Sequence, residues 1–273
     1  MNIENFGGLP RWALMAAIAL GLFAAFKILS AAAALRAGVR PPAGRLLAYL
    51  LLWPGMDAEA FLGPARVPPP PPAAWAGAAA RILLGAALLW GVLPRIPSWP
   101  AALRAWIGLV GLAFLLHFGL FRLAALFWQA RGVRAEPLMD APARARSLSE
   151  FWGRRWNRAF RDLAHRFVFE PVRRRAGPGV AGGAAFAVSG LLHDLALSLP
   201  AGGGWGLPTA YFLLQALGIR LERSACGRRL GLGRGFRGWL FAAAFTAGPA
   251  AALFHPPFLE RVAIPFLQAL GAW

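Results

Sequence analysis

The chain is short of charge, of lysine, of asparagine and of cysteine. Only 15% of its 273 residues are charged, against about 25% in an ordinary soluble domain. That scarcity, with 58% hydrophobic residues and a mean hydropathy of +0.53, excludes a water-soluble globule. Cys226 is the single cysteine, so no internal disulfide can form and no cysteine-based metal site is expected. Acidic residues number 11 against 29 basic ones, a net charge of +18, and Lys27 is the single lysine. Arginine therefore carries almost all of the basic excess. No phosphate-cradling Gly-Lys-Ser, no His-Glu-x-x-His and no Gly-x-Ser-x-Gly occurs. Gly231-Leu232-Gly233-Arg234-Gly235 lacks the strand and crossover context of a dinucleotide site, so it is a loop. Neither a metal nor a cofactor is called for, and no recognised module supports a nucleic-acid partner.

What the chain does have is apolar runs near the roughly 20 residues that cross a bilayer. Seven are expected to span: Trp12 to Leu35, Ala74 to Leu93, Leu103 to Gln129, Val180 to Leu199, Trp205 to Ile219, Trp239 to Phe254 and Phe258 to Leu270. Lys27, two turns from the end of the first, is expected to snorkel. Leu46 to Trp53 is too short to cross and reads as a reentrant or interfacial element. Val67 to Ala74 is a stiff proline-rich linker. The three arginine-rich loops fall on one side only if Leu46 to Trp53 does not span, which places them and the C-terminus in the cytoplasm. The N-terminal Met-Asn-Ile-Glu-Asn-Phe lacks a cleavage-site pattern, so the first helix is expected to be a retained anchor. The Ala, Arg, Gly and Pro bias suggests a bacterial source and a cytoplasmic membrane. The expected fold class is all-α: a polytopic membrane protein of about seven helices plus a cytoplasmic-side amphipathic helix, one domain over residues 1–273.

Two segments carry ionisable or amide groups where apolar ones belong. From Ser147 to Arg175, aromatic and aliphatic residues recur at three-to-four spacing, with arginines between them. Ser147 or Ser149 with Glu150 fits a helix start. The pattern describes a basic helix lying on an anionic leaflet. Asn157 interrupts its aromatic face, and an amide there needs a buried partner or a ligand. The second segment, Phe186-Ala187-Val188-Ser189-Gly190-Leu191-Leu192-His193-Asp194, puts His193 inside an apolar run. Intramembrane ionisable groups usually mark function, although helix packing would also account for one. Asp194 points about 100° away from His193 and is not automatically its partner. His117 is expected to pack, His165 to lie on the basic helix surface and His255 to be interfacial.

Ser147-Leu148 followed by Phe151-Trp152-Gly153-Arg154-Arg155-Trp156-Asn157, the Phe169-Glu170-Pro171-Val172 step, and Phe186-x-x-Ser189-Gly190-x-x-His193-Asp194 resemble the signature of wax synthases in the membrane-bound O-acyltransferase superfamily. Trp53-Pro54-Gly55-Met56-Asp57 resembles a segment of bacterial wax synthase-like members. The likeness is concentrated in residues 147–199. It implies a multi-helix fold with a tunnel across the bilayer, acyl-CoA as co-substrate, a hydrophobic alcohol acceptor and membrane lipids as surroundings. By the same resemblance His193 is the general base and Asn157 its polar partner. Trp152, Arg154, Arg155, Trp156, Arg158 and Ser189 are then candidate substrate contacts, the arginines for CoA phosphates. A sterol, diacylglycerol, secondary metabolite or polysaccharide acceptor stays open, as does a non-catalytic lipid-binding or channel role.

Overall fold

The computed structural model describes residues 8–273, and the N-terminal hexapeptide discussed above lies outside them. Among the described residues the chain is helical, with a single isolated bridge between Arg66 and Val133. It divides into two compact units, one comprising the chain up to Ala19 with Asp140–Pro265, the other Leu20–Met139 with Phe266–Trp273.

Four described helices are long and apolar enough to cross a membrane: α1 (Arg11–Arg36), α4 (Pro72–Arg95), α5 (Ala101–Ala130) and α7 (Arg158–Ala201). Their most apolar windows are only 11–28% buried within the protein. Surfaces so apolar and so uncovered need hydrocarbon around them, and the protein is an integral membrane protein. The runs expected to span after Trp205 fold as shorter pieces. These include α8 (Leu207–Arg223, 17 residues) and α10 (Gly235–Ala247, 13 residues), joined by α9 (Ala225–Leu230). Helix α11 (Ala250–Leu253) and a helical stretch at 256–269 complete the chain.

In the second unit, small residues let α4 and α5 approach closely. A Cβ on Gly85 would sit 2.5 Å from the Leu115 backbone nitrogen, the contact that glycine permits between membrane helices. Leu89, Leu93 and Leu267 pack beside that crossing with Ile107, Leu112 and Leu115 around them. Lys27 does not snorkel. It is 1% exposed, its Nζ donates to the Gly55 carbonyl at 2.7 Å and it lies 3.3 Å from the Tyr49 ring centre. A buried ammonium needs such partners. They pin the turn Trp53–Asp57 between α2 (Ala43–Leu52) and α3 (Ala58–Leu62).

The first unit holds the signature. Ser147 caps the helix that begins at Leu148 by accepting the Glu150 N–H at 2.9 Å, and Glu150 in turn accepts the Arg146 N–H at 2.7 Å. The expected continuous amphipathic helix is broken, however. Helix α6 (148–155) ends on wide turns, Trp156 is extended and Asn157 is left-handed at φ 40°. Asn157 then caps α7, accepting the Phe160 N–H on Oδ1 at 3.2 Å. Asparagine is one of the few side chains that tolerates both requirements. Helix α7 has its own break, at Gly177 (φ 81°) before Pro178. The sequence changes character there, from Arg173-Arg174-Arg175 to the apolar run after Val180. Proline lacks the N–H that would continue the helix, and glycine supplies the forbidden φ.

Candidate active site

Helices α6, α7 and α8 of this unit line a half-open cavity of about 870 Å³. Trp152, Trp156 and Asn157 line one wall. The apolar half of α7 supplies Gly179, Gly182, Gly183, Phe186, Ser189 and His193, and α8 supplies Phe212, Leu213, Ala216 and Leu217. The Asn157 amide and the His193 imidazole therefore border the same space.

The His193 ring is held in one orientation. Its Nδ1 lies 2.7 Å from the Ser189 carbonyl. A carbonyl can only accept, so Nδ1 carries the hydrogen and Nε2 keeps the lone pair of the neutral ring. Phe212 packs against the imidazole at 4.5 Å between ring centres, and Phe160 lies at 6.4 Å. Ser189 thus serves through its backbone, since its hydroxyl donates back to Ala185 at 2.8 Å. A neutral histidine with one nitrogen tethered and the other basic fits general-base chemistry. The cap bond on the Asn157 oxygen makes Nδ2 the donor end of that amide.

Trp152 is fixed from behind. Its Nε1 donates to Gln215 Oε1 at 3.2 Å, and Gln215 Nε2 donates to the Phe245 carbonyl at 2.7 Å. Gln215 is fully buried, so both ends of its amide must be satisfied, and they are. Phe186 and Phe212 meet the indole at 5.8 and 5.6 Å.

The cationic lining differs from the sequence expectation. Arg161, Arg220 and Arg223 border the cavity, whereas Arg154, Arg155 and Arg158 do not. Arg155 instead ties α6 to its own approach, binding Glu150 at 2.7 Å and the Asp140 carbonyl at 3.0 Å. Arg154 is exposed and Arg158 begins α7. The difference follows from the break at Asn157, which shifts the helical phase before and after it. Arg220 and Arg223 lie 8 and 11 residues beyond Phe212, hence about 12–16 Å along α8 from the His193 contact. His165 lines the cavity too, stacked on Phe169 at 5.2 Å. His117 contacts Phe121 in its own helix and is not a lining residue.

Sequence reading missed Glu222. It is 5% exposed and accepts the backbone N–H groups of Leu148 and Ser149, a carboxylate at a helix N-terminus. Arg223 donates to Ser149 Oγ at 3.1 Å. A Cβ on Gly238 would sit 2.0 Å from the Arg146 carbonyl. These contacts seat the start of the signature helix against the last turn of α8 and the first turns of α10. Glu222 is the one acid in an arginine-rich stretch, the same kind of oddity that drew attention to Asn157.

His255 is fully buried within the protein. Its Nδ1 accepts the Phe258 N–H at 3.2 Å, so Nε2 carries the hydrogen and donates to Ser198 Oγ at 3.2 Å. Ser198 passes its own hydrogen to Asp194 at 2.9 Å. Serine, histidine and an acid are adjacent here, but the donors run from His255 toward Asp194. The Ser198 hydrogen is accepted by the weakly basic Asp194 carboxylate and no imidazole lone pair faces the hydroxyl, so the set lacks the histidine base of a nucleophilic serine.

Residues 135–214 match the Membrane bound O-acyl transferase family. The chain is 40% identical over 72 residues to the long-chain-alcohol O-fatty-acyltransferase of Simmondsia chinensis, covering 23% of this chain and 20% of that protein. It is 29% identical over 164 residues to the probable long-chain-alcohol O-fatty-acyltransferase 7 of Arabidopsis thaliana, covering 54% and 47%. It is 34% identical over 89 residues to acyl-CoA–sterol O-acyltransferase 1 of the same plant, covering 30% and 26%. The matched part thus spans less than half the length of each of these curated relatives.

Proposed function

We propose, on the premise that residues 135–214 carry the membrane-bound O-acyltransferase signature of the wax synthase-like branch, that this protein moves a fatty acyl group from acyl-CoA to a long-chain alcohol. The observation that carries the reading is the shared cavity of Asn157 and His193, with His193 tethered at Nδ1 and basic at Nε2. In the reaction, Nε2 takes the hydroxyl proton as the alcohol oxygen attacks the thioester carbonyl. The Asn157 NH₂ group donates to the developing oxyanion. The tetrahedral adduct collapses, the C–S bond breaks, and the imidazolium returns the proton to the departing thiolate. The products are a wax ester and free CoA, and no covalent acyl-enzyme or cofactor enters.

Arg161, Arg220 and Arg223 are the cations suited to hold CoA phosphates, Arg220 and Arg223 about two to three turns along α8 from the His193 contact. The aromatic wall of Trp152, Trp156 and Phe212 suits the hydrocarbon of acyl chain and acceptor. We take the 273 residues as one acyltransferase domain of a bacterial cytoplasmic membrane. It has about seven spans, and Leu46 to Trp53 is a reentrant or interfacial element that enters the bilayer without crossing. A sterol acceptor is the second reading, favoured by the relative named acyl-CoA–sterol O-acyltransferase.

The test is direct. Purified protein in lipid nanodiscs is given labelled palmitoyl-CoA with hexadecanol, a sterol or diacylglycerol. Wax ester should dominate and vanish in His193→Ala. Equal product from the sterol or diacylglycerol would redirect the acceptor. No acyl transfer to any acceptor, with CoA-dependent activity absent, would leave a lipid-binding or channel protein.

A further inference from the structure

The proposed base sits on a helix whose rotation must be fixed, and the hydrogen bond from His193 to Ser189 lies within that same helix. It orients the ring on α7 but cannot orient α7 itself. The next residue does. Asp194 is 8% exposed and accepts the Gly206 N–H at 2.8 Å, the Thr209 N–H at 3.2 Å, the Thr209 hydroxyl and the Ser198 hydroxyl. The first three donors belong to the start of α8. One turn earlier, Gly190 removes the side chain that would block the same spot, since a Cβ there would lie 2.5 Å from Thr209 Cα. Thr209 is therefore held twice, by close backbone approach to Gly190 and by hydrogen bonds to Asp194. Three residues on, Phe212 meets the His193 ring. Gly190, His193 and Asp194 thus face Thr209 and Phe212 in a single register. The donor chain from His255 through Ser198 reaches the same carboxylate from the hairpin at 254–258.

We infer that Asp194 and Thr209 are positioning residues for His193. They lock the rotation and register of α7 against α8, so that Phe212 backs the imidazole and Nε2 is presented to the cavity. The inference rests on the acyl-transfer reading for its kinetic readout but not for its chemical one. A tilt of α7 would move Nε2 against the hydroxyl, and misplacement of about 1 Å costs up to about 100-fold in rate.

The test uses full-length protein in nanodiscs, with Thr209→Val as the central variant. Valine keeps the shape and the backbone N–H but deletes the hydroxyl. Steady-state turnover with palmitoyl-CoA and hexadecanol is measured beside the rate of carbethoxylation of His193, read by peptide mass spectrometry. Thr209→Val should lower kcat about 10- to 100-fold, with KM and the thermal midpoint nearly unchanged. It should also alter the labelling rate of His193. Thr209→Ser should restore both. Asp194→Asn should act in the same direction, and if it does not fold, Thr209→Val alone decides. An unchanged labelling rate in Thr209→Val overturns the positioning role whatever the activity. So does a kcat within about twofold of wild type, or a loss that Thr209→Ser leaves unrepaired. If the parent protein has no transferase activity, the functional reading fails by itself, and the labelling comparison still decides the register lock.

Discussion

His193 and His255 belong to the same unit, and neither has a carboxylate directly on its ring, yet they are wired in opposite senses. His193 spends its Nδ1 hydrogen on a backbone carbonyl and keeps a basic Nε2 beside a cavity. His255 accepts a backbone N–H on Nδ1 and gives its Nε2 hydrogen to Ser198. The first has a lone pair to offer a substrate, and the second has none left. A histidine in a membrane protein is therefore judged by its tautomer and by what lies beyond its second nitrogen, not by burial alone.

The contrast can be broken or sharpened experimentally. The largest effect is expected at the base: His193→Ala should lower kcat by about 10²–10⁴-fold, while His255→Ala should act chiefly on thermal stability. Equal kinetic losses in the two variants would erase the distinction. Asn157→Gly comes next. Glycine accepts the left-handed φ of 40° and costs a helix cap only a few tenths of a kcal/mol, so the fold should survive. Loss of the amide should nevertheless lower kcat about 10²–10³-fold, and full activity would leave Asn157 as a cap and nothing more. Glu222→Ala strips a buried acceptor from two backbone donors and should cost about 1.5–3 kcal/mol, seen as a lower thermal midpoint. Arg220→Ala and Arg223→Ala should each raise KM for acyl-CoA a few-fold with kcat unchanged, and together more than either alone.

The smallest effect is a pH dependence. Burial pushes the His255 imidazole below its ordinary value, opposed by the charge of Asp194. The unfolded chain takes up this proton near pH 6.5, whereas the folded protein resists until lower pH. Stability contributed by the neutral ring is thus complete above about pH 6.5 and drains as pH falls through the folded value. The acid-side decline of the thermal midpoint should flatten in His255→Gln.

Much of this was legible in the sequence. The apolar runs identified the membrane class, Ser147 the helix start, and the pairing of Asn157 with His193 the cavity. Other features escaped because periodicity assumes an unbroken helix. Asn157 was placed on a continuous amphipathic face, although its own preference for left-handed φ and for capping is what ends that face. The same phase error puts Arg154, Arg155 and Arg158 at the cavity, where the structure places Arg161. Gln215 and Glu222 carry the same sequence sign as Asn157, a lone polar group in the wrong surroundings. The burial of Lys27 and His255 could not be foreseen, because it depends on groups remote in sequence, the Gly55 carbonyl and the Ser198 hydroxyl.

The break at Gly177–Pro178 has a consequence for chemistry. Counting from it, the apolar half of α7 centres near Ser189, and His193 lies about 5 Å further along. If that half is centred in hydrocarbon about 30 Å thick, His193 stands roughly a third of the slab from the headgroups at its C-terminal end and two thirds from those on the arginine-bearing side. On the acyl-transfer proposal, a thioester drawn so far inward would meet an alcohol before bulk water, and the place of the collision would favour esterification over hydrolysis.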